Sequence, residues 1–170
     1  MSFIRRWLLL LLCLAAAGVA GCSRHKEITS LQRKEAASYV SEAEFAINLR
    51  DYARAEGLLS QAVAVCPDTP EYWLNLGSVR RRLGNRDGAK AAYEQMLDLV
   101  RDIYLHDRKE PGPLLQQIYV LALLGRMDEA RAVLEQAQKD HPDDGNVRAF
   151  VEGHQLERLQ TDQTFKDSAL

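Results

Sequence analysis

Three stretches of this chain have nearly the same sequence, and each begins a helical pattern built on its final alanine. They are Asp51-Tyr-Ala-Arg-Ala55, Asn85-Arg-Asp-Gly-Ala89 and Arg126-Met-Asp-Glu-Ala130. A unit that recurs in this way cannot bury its apolar face alone and must stack on a neighbour. The repeats therefore predict an all-α array of stacked helices, and they favour binding or scaffolding over catalysis.

The apolar residues after each repeat follow the spacing of one helix face, i, i+3, i+4, i+7 and i+8. The first two sets are Ala55, Leu58, Leu59, Ala62 and Val63, and Ala89, Ala92, Tyr93, Met96 and Leu97. Such a face must be covered by another helix. Helices approach closely where their contact residues are small, so Ala55, Ala89, Ala130 and Gly77 are expected to form the tight contacts.

Further residues at matching positions point to a known repeat. Trp73, Leu76 and Gly77 precede the second alanine, and Pro67 and Pro142 close the first and third units. From about 36 to 144 this pattern resembles the tetratricopeptide repeat, a pair of antiparallel helices. The resemblance implies a right-handed superhelix of about three helix pairs, at about 36–69, 70–103 and 111–144, with a C-terminal capping helix at 146–160.

The ends of the helical region carry weaker signals. Thr29 has Gln32 three residues later, the spacing of a capping box, so the first helix is expected to begin near Thr29-Ser30. Thr69-Pro70-Glu71 predicts a helix start with a hydroxyl cap and proline in the first turn. Residues 161–170 are polar and are expected to form a flexible tail.

The repeat also departs from its period and its motif. The second and third alanines are 41 residues apart whereas the first two are 34 apart, and seven residues correspond to about two helical turns. The sequence therefore predicts a longer second helix in the second unit, ending before His106 to Pro113. This extension is either a projecting handle for a partner or a solvated elaboration. Arg80 stands where the motif has tyrosine, and Glu42-Ala43 replaces Leu-Gly.

The first 22 residues have the order of features of a bacterial export signal. Arg5-Arg6 give a positive start, Trp7 to Ala17 are almost all Leu and Ala, and Val19-Ala20-Gly21-Cys22 follows. The apolar run is shorter than the roughly 20 residues that span a bilayer as a helix. The small residues and the cysteine that follow this run resemble the lipobox of bacterial lipoproteins. Residues 1–21 are therefore expected to be a signal peptide and 22–28 a lipid-proximal tether.

The lipoprotein resemblance implies that Cys22 becomes the first mature residue and carries a covalent lipid. Two or more acyl chains anchor a protein stably, so the chain would be held on a membrane without a transmembrane helix. Ser23 after the cysteine resembles an outer-membrane address, with the protein facing the periplasm. The alternative is an uncleaved signal, or a short anchor with a coincidental cysteine.

Removal of the signal peptide changes the charge and the cysteine count. Lys plus Arg falls from 22 to 20 because Arg5 and Arg6 leave, and against 24 Asp plus Glu the mature net charge is −4. This balance does not favour nucleic acid. Cys13 is lost and Cys22 is lipidated, which leaves Cys66 as a lone thiol without a disulfide partner. Cys66 is expected to be a packed small side chain.

In the tetratricopeptide family the first helices of successive units line a concave groove that binds protein segments. Projected onto this chain, the groove residues are Val40, Glu44, Ile47, Leu74, Asn75, Ser78, Arg81, Leu115, Gln116, Tyr119 and Leu123. Their mixture of apolar and polar groups suits an extended or helical segment of another protein. Asn75 matches the asparagine of a carboxylate clamp, but the basic residues of that clamp are not matched, so recognition of a C-terminal carboxylate is not predicted.

Catalytic and metal motifs are not found in the sequence. His25, His106, His141 and His154 lie far apart without paired ligand spacing, and there is no phosphate loop or nucleophile elbow. We therefore predict a protein that is not an enzyme, with no metal, no cofactor other than the lipid on Cys22, and no small-molecule substrate.

The sequence thus predicts an outer-membrane lipoprotein that serves as an adaptor or assembly factor for an envelope machine. It is similar to the tetratricopeptide lipoproteins of type IV and Flp pilus assembly, which help a secretin to assemble. A scaffold for cell-wall or outer-membrane assembly enzymes is an alternative. A small enzyme or metal carrier that uses the His106 loop is a third.

Overall fold

A computed structural model describes residues 27–170, and the predicted signal peptide and most of the predicted tether lie outside them. The described residues form nine helices and no strand. The helices are α1 (Ser30–Asn48), α2 (Tyr52–Val65), α3 (Pro70–Arg82), α4 (Arg86–His106), α5 (Gly112–Leu123), α6 (Met127–Asp140), α7 (Gly145–Glu152), α8 (Gln155–Thr161) and α9 (Gln163–Ser168). From α1 to α6 each helix packs on the next one along the chain. The predicted all-α stack of three helix pairs is confirmed.

Within each of the three pairs, the two helices are joined by the same kind of turn. Its middle residue is left-handed in each case, at Arg50 (φ 60°), Gly84 (φ 80°) and Gly125 (φ 72°). The next amide then bonds a carbonyl of the preceding helix, which closes the helix end. These bonds run from Asp51 N to Ala46 O (2.9 Å), Asn85 N to Arg80 O (2.9 Å) and Arg126 N to Leu121 O (2.8 Å).

The helix starts follow the sequence signals with one exception. Thr29 and Gln32 form the predicted capping box at the start of α1. Helix α3 begins at Pro70 as expected, but the prediction that the Thr69 hydroxyl caps it is wrong. That hydroxyl lies 3.3 Å from the Cys66 sulfur instead. Proline at the first position has no N–H, which reduces the need for a cap.

The small residues form the tight contacts of the stack. Ala55, Ala89 and Ala130 are completely buried, each near the start of the second helix of its pair. Gly77 of α3 lies against the ring of Tyr93 of α4, so closely that a Cβ at Gly77 would overlap two ring carbons. The pairing of α3 with α4 therefore depends on the absence of a side chain at this position.

Two glycines inside helices give a test of this packing with opposite signs. Gly77→Ala should lower the free energy of unfolding by about 1 to 3 kcal/mol, because the Tyr93 ring must move. Gly57 lies within α2 and has no neighbouring atom where a Cβ would go. Gly57→Ala should therefore raise the free energy of unfolding by about 0.5 to 1 kcal/mol, since alanine restricts the unfolded chain more than glycine does. Urea denaturation of both variants measures the two shifts, and a stabilised Gly77→Ala would contradict the packing.

The extension of α4 packs against the third repeat. α4 has 21 residues and α2 and α6 have 14 each, which confirms the predicted lengthening. Tyr104 in the added turns is buried with Leu114, Ala137 and Val147. Its hydroxyl donates to Asp140 Oδ2 at 3.0 Å. One face of the extension is therefore covered by α5, α6 and α7, while Ile103 and Leu105 on its other side are exposed.

Arg80, which replaces the motif tyrosine, also has a packing role. Its Nε donates to Glu56 Oε1 at 3.0 Å, and its other nitrogens lie 3.4 Å from Gly88 O and 3.5 Å from Ser60 Oγ. The guanidinium is largely covered by its neighbours. One side chain thus links α2, α3 and the first turn of α4, so the departure from the motif is accommodated by polar contacts.

The C-terminal region differs from the expectation. In place of one capping helix at 146–160 there are two helices, separated at Gly153 and at His154, which is left-handed with φ 48°. The break allows Val147 of α7 to be buried with the α4 extension while Leu156 of α8 joins the main core. Residues 161–170, expected to be a flexible tail, contain the helix α9.

Candidate protein-binding groove

The helix α9 lies against α3 and α5, the two helices predicted to line the groove in the second and third repeats. Its Phe165 is only 7% exposed and belongs to the main apolar core. The Phe165 ring meets the Tyr119 ring edge to face, with centroids 5.5 Å apart and an angle of 75° between the planes. Aromatic rings in this arrangement stabilise a contact by more than the burial of their surface area alone. The groove therefore holds a short helix of its own chain.

Hydrogen bonds hold the C-terminal end of this helix. The last carbonyls of a helix have no partner within the helix. Here the Tyr93 hydroxyl donates to Ser168 O at 2.8 Å, and Arg81 Nε donates to Ala169 O at 2.6 Å. The Leu170 amide donates to Leu123 O at 2.9 Å. The groove thus supplies two side-chain donors and one backbone acceptor to the end of the bound segment.

The electrostatics of the groove suit the end of a helix. Arg81 places a positive charge at the C-terminal end of α9, where the helix dipole is negative. Burial raises the pKa of the Tyr93 phenol above its usual value. Burial also raises the pKa of Tyr119, with a smaller contribution from the charge of Asp162. Tyr93 therefore stays protonated at neutral pH and remains a hydrogen-bond donor.

The predicted groove residues of α3 lie at or near the contact with α9. Leu74 packs at the edge of the main core, and Asn75 is half-buried. The Ser78 hydroxyl lies 3.4 Å from the Tyr93 hydroxyl, and Arg81 bonds the segment directly.

The predicted apolar groove residues of α5 pack on the main core, whereas those of α1 lie apart from it. Leu115 and Tyr119 pack at the edge of the main core, and Gln116 Nε2 donates to Glu71 Oε1 of α3 at 3.3 Å. The Leu123 side chain is completely buried, so only its carbonyl is presented to the segment. From α1, Val40 and Ile47 pack on a separate N-terminal core while Glu44 is exposed. The contacts with α9 described above come from the second and third repeats.

Comparison with known protein families supports the repeat. Two family models, both described as tetratricopeptide repeat, match residues 41–102 and 114–144, and together they cover more than half of the chain. The chain belongs to the tetratricopeptide-repeat family. No curated protein is similar enough in sequence to be matched.

Solved structures with related folds are also tetratricopeptide domains. One is the first tetratricopeptide domain of Spaghetti (RPAP3), bound to the HSP90 peptide SRMEEVD, with 14% identity, 76% of this chain and 96% of that chain covered, and a TM-score of 0.46. Another is the tetratricopeptide domain of Arabidopsis OM64, with 16% identity, 75% and 98% covered, and a TM-score of 0.42. Because both TM-scores are low, the family assignment depends on the sequence matches.

Two residues of this tetratricopeptide groove were not predicted from the sequence. The sequence pattern assigns Tyr93 only to a buried helix face, yet its hydroxyl reaches the groove at the end of α9. The polar residues around Phe165 predict a flexible tail. A signal was present, because Phe165 is an isolated aromatic residue three positions after Asp162, whose carboxylate caps α9 by accepting from the Phe165 amide at 2.7 Å.

Cys66 has a structural role in the first repeat. It is 1% exposed and burial raises the pKa of its thiol, which favours the unreactive protonated form. Beside it, Arg33 and Asp68 form a two-pronged ion pair between α1 and the turn after α2, with one N to O distance of 2.7 Å. The hydrogen bond from Arg33 lowers the pKa of Asp68.

Within 27–170 no group of three His, Cys, Asp or Glu side chains is arranged to hold a metal ion. None of the helices in this part is both long and apolar enough to cross a membrane.

Proposed function

We propose that this protein is a lipid-anchored adaptor of the cell envelope whose groove binds a short segment of another protein. The observation that supports this most strongly is the occupied groove. Phe165 packs on Tyr119, and Tyr93 and Arg81 bond the carbonyls that follow it. A surface that accommodates one short helix in this way offers apolar contact for affinity and fixed donors for orientation, as helix-in-groove recognition requires.

The sequence of the leader supports the anchor. Cys22 lies outside the described residues, and α1 begins at Ser30. The seven intervening residues span roughly 25 Å at most when fully extended. A lipid on Cys22 would therefore hold the stack close to the membrane surface, where its groove meets proteins of the same membrane. We place it on the outer membrane, facing the periplasm.

We favour a role for this protein as an assembly factor of a type IV or Flp pilus or of a related secretion system. The support is the combination of a lipobox with tetratricopeptide repeats. A scaffold for cell-wall or outer-membrane assembly enzymes uses the same groove and the same anchor. Normal secretin multimers in a deletion strain would exclude the first role and leave the second.

A small enzyme or metal carrier built on His106 is less well supported. His106 is exposed at the end of α4, and its Nδ1 lies 2.8 Å from the backbone oxygen of Asp102 in the same helix. It is therefore engaged locally at the helix end. A catalytic pocket has several polar groups that converge on one point, and the contact of His106 with its own helix is not such an arrangement.

The anchor is tested by replacing the lipidated cysteine. We expect Cys22→Ser to abolish labelling of the protein with a radioactive fatty acid and to release it from the membrane fraction. Cys13→Ser is the matched control, because Cys13 is expected to leave with the signal peptide, and it should be labelled normally. Fatty-acid labelling that persists in Cys22→Ser would contradict the lipid anchor.

The adaptor function is tested by crosslinking in cells followed by mass spectrometry. We expect the double variant Asn75→Lys and Arg81→Glu to recover at least fivefold less of its main crosslinked partner, because it alters the groove without removing core side chains. Arg86→Glu combined with Gln95→Lys makes the same charge changes at exposed positions of α4 and should behave as wild type. Equal recovery from both double variants would place the binding surface elsewhere.

A further inference from the structure

We propose that residues 162–170 are an internal ligand that occupies the groove until a partner segment of the same kind displaces it. This inference rests on the proposed adaptor function and names the kind of partner. The partner segment would be a short helix with one aromatic side chain in its last two turns. Beyond that side chain, its free carbonyls would face Tyr93 and Arg81.

The apolar part of the site fixes the position of the aromatic side chain. Phe165 enters between α3 and α5 and is buried to the same degree as residues of the permanent core. The other side chains of α9 are polar, and Thr164, Lys166 and Asp167 are exposed. Phe165 is thus the only large apolar anchor within the helix α9, and Leu170 beyond the helix packs at the edge of the same core.

The polar part of the site fixes the direction of the segment. The Tyr93 hydroxyl and Arg81 Nε both donate to carbonyls that follow Phe165, and Leu123 accepts from the amide of Leu170. A helix in the reverse direction would present N–H groups to these donors. The groove therefore selects a helix that places its C-terminal end beside α3 and α4.

The size of the segment makes exchange feasible. α9 has six residues, which is too short to be stable as an isolated helix. Its binding is favoured because the chain tethers it, and a short tether gives an effective concentration on the order of millimolar. A separate segment with better contacts, or at high local concentration on the same membrane, can therefore replace it.

The test uses a labelled synthetic peptide with the sequence of residues 161–170, titrated into the millimolar range against the full chain. Phe165→Asp removes the internal anchor, and we expect this variant to bind the peptide at least tenfold more tightly than wild type. Thr164→Asp places the same charge on the exposed side of α9 and should bind as weakly as wild type. The peptide with alanine in place of its phenylalanine should bind none of them.

Three results would overturn the proposal. They are equal binding by the Phe165→Asp and wild-type chains, no binding to a folded Phe165→Asp chain, and a wild-type dimer that Phe165→Asp dissociates, which would assign the segment to a second copy. Phe165→Ala serves in place of Phe165→Asp if circular dichroism shows the latter to be unfolded. Since the peptide comes from this chain, failure here is distinct from failure to find an envelope partner.

Discussion

Tyr93→Ala is expected to lower the free energy of unfolding by about 3 to 5 kcal/mol, because it removes a large and completely buried side chain at the centre of the stack. The ring fills the space that Gly77 leaves open between α3 and α4. A small domain has a total stability of about 5 to 15 kcal/mol, so this loss is a large part of it. Urea denaturation followed by circular dichroism measures the change.

Tyr93→Phe separates the two roles of this residue. It keeps the ring and removes the hydroxyl that bonds Ser168 O, so the expected loss of stability is about 1 kcal/mol. Its main effect should be faster hydrogen exchange at the amides of α9, with little change in α1 and α2.

A Tyr93→Ala variant whose free energy of unfolding lies within 1 kcal/mol of the wild-type value would contradict the packing of the second repeat.

Tyr104→Ala is expected to lower the free energy of unfolding by about 3 kcal/mol, because the α4 extension braces the third repeat. Tyr104 is 5% exposed, packs on Leu114, Ala137 and Val147, and bonds Asp140. Thermal or urea denaturation measures the loss.

Ile103→Ala is the matched control for the extension. Ile103 is the adjacent residue and is 42% exposed, so the change in the free energy of unfolding should stay within about 0.5 kcal/mol. If both variants were as stable as wild type, the extension would be a solvated addition that does not stabilise the third repeat.

The repeat could be predicted because its signal is local and is present three times. Each of the three similar stretches contains a helix start and a small residue, and the burial of Ala55, Ala89 and Ala130 follows directly from that pattern. The extra length of α4 could be read from the break in the period. Its packing could not, because the contact between Tyr104 and Asp140 joins residues 36 positions apart.

The position of the helix that occupies the groove could not be predicted for a related reason, although Asp162 marks a helix start. The C-terminal residues are polar, and a single aromatic side chain such as Phe165 gives no periodic pattern. Its position depends on Arg81 and Tyr119, which are distant in sequence and lie on different repeats. The residues of α3 and α5 that the repeat pattern assigns to the groove stay a prediction as a binding site, and the complete burial of Leu123 depends on contacts that the pattern does not contain.

The most direct test of the account is a nuclear Overhauser measurement on the full wild-type chain, with the rings of Phe165 and Tyr119 assigned. We expect cross-peaks between the two rings, which have centroids 5.5 Å apart, together with a slowly exchanging Leu170 amide. A Phe165 ring with the chemical shifts of an unfolded peptide and no contact with Tyr119 would contradict this expectation.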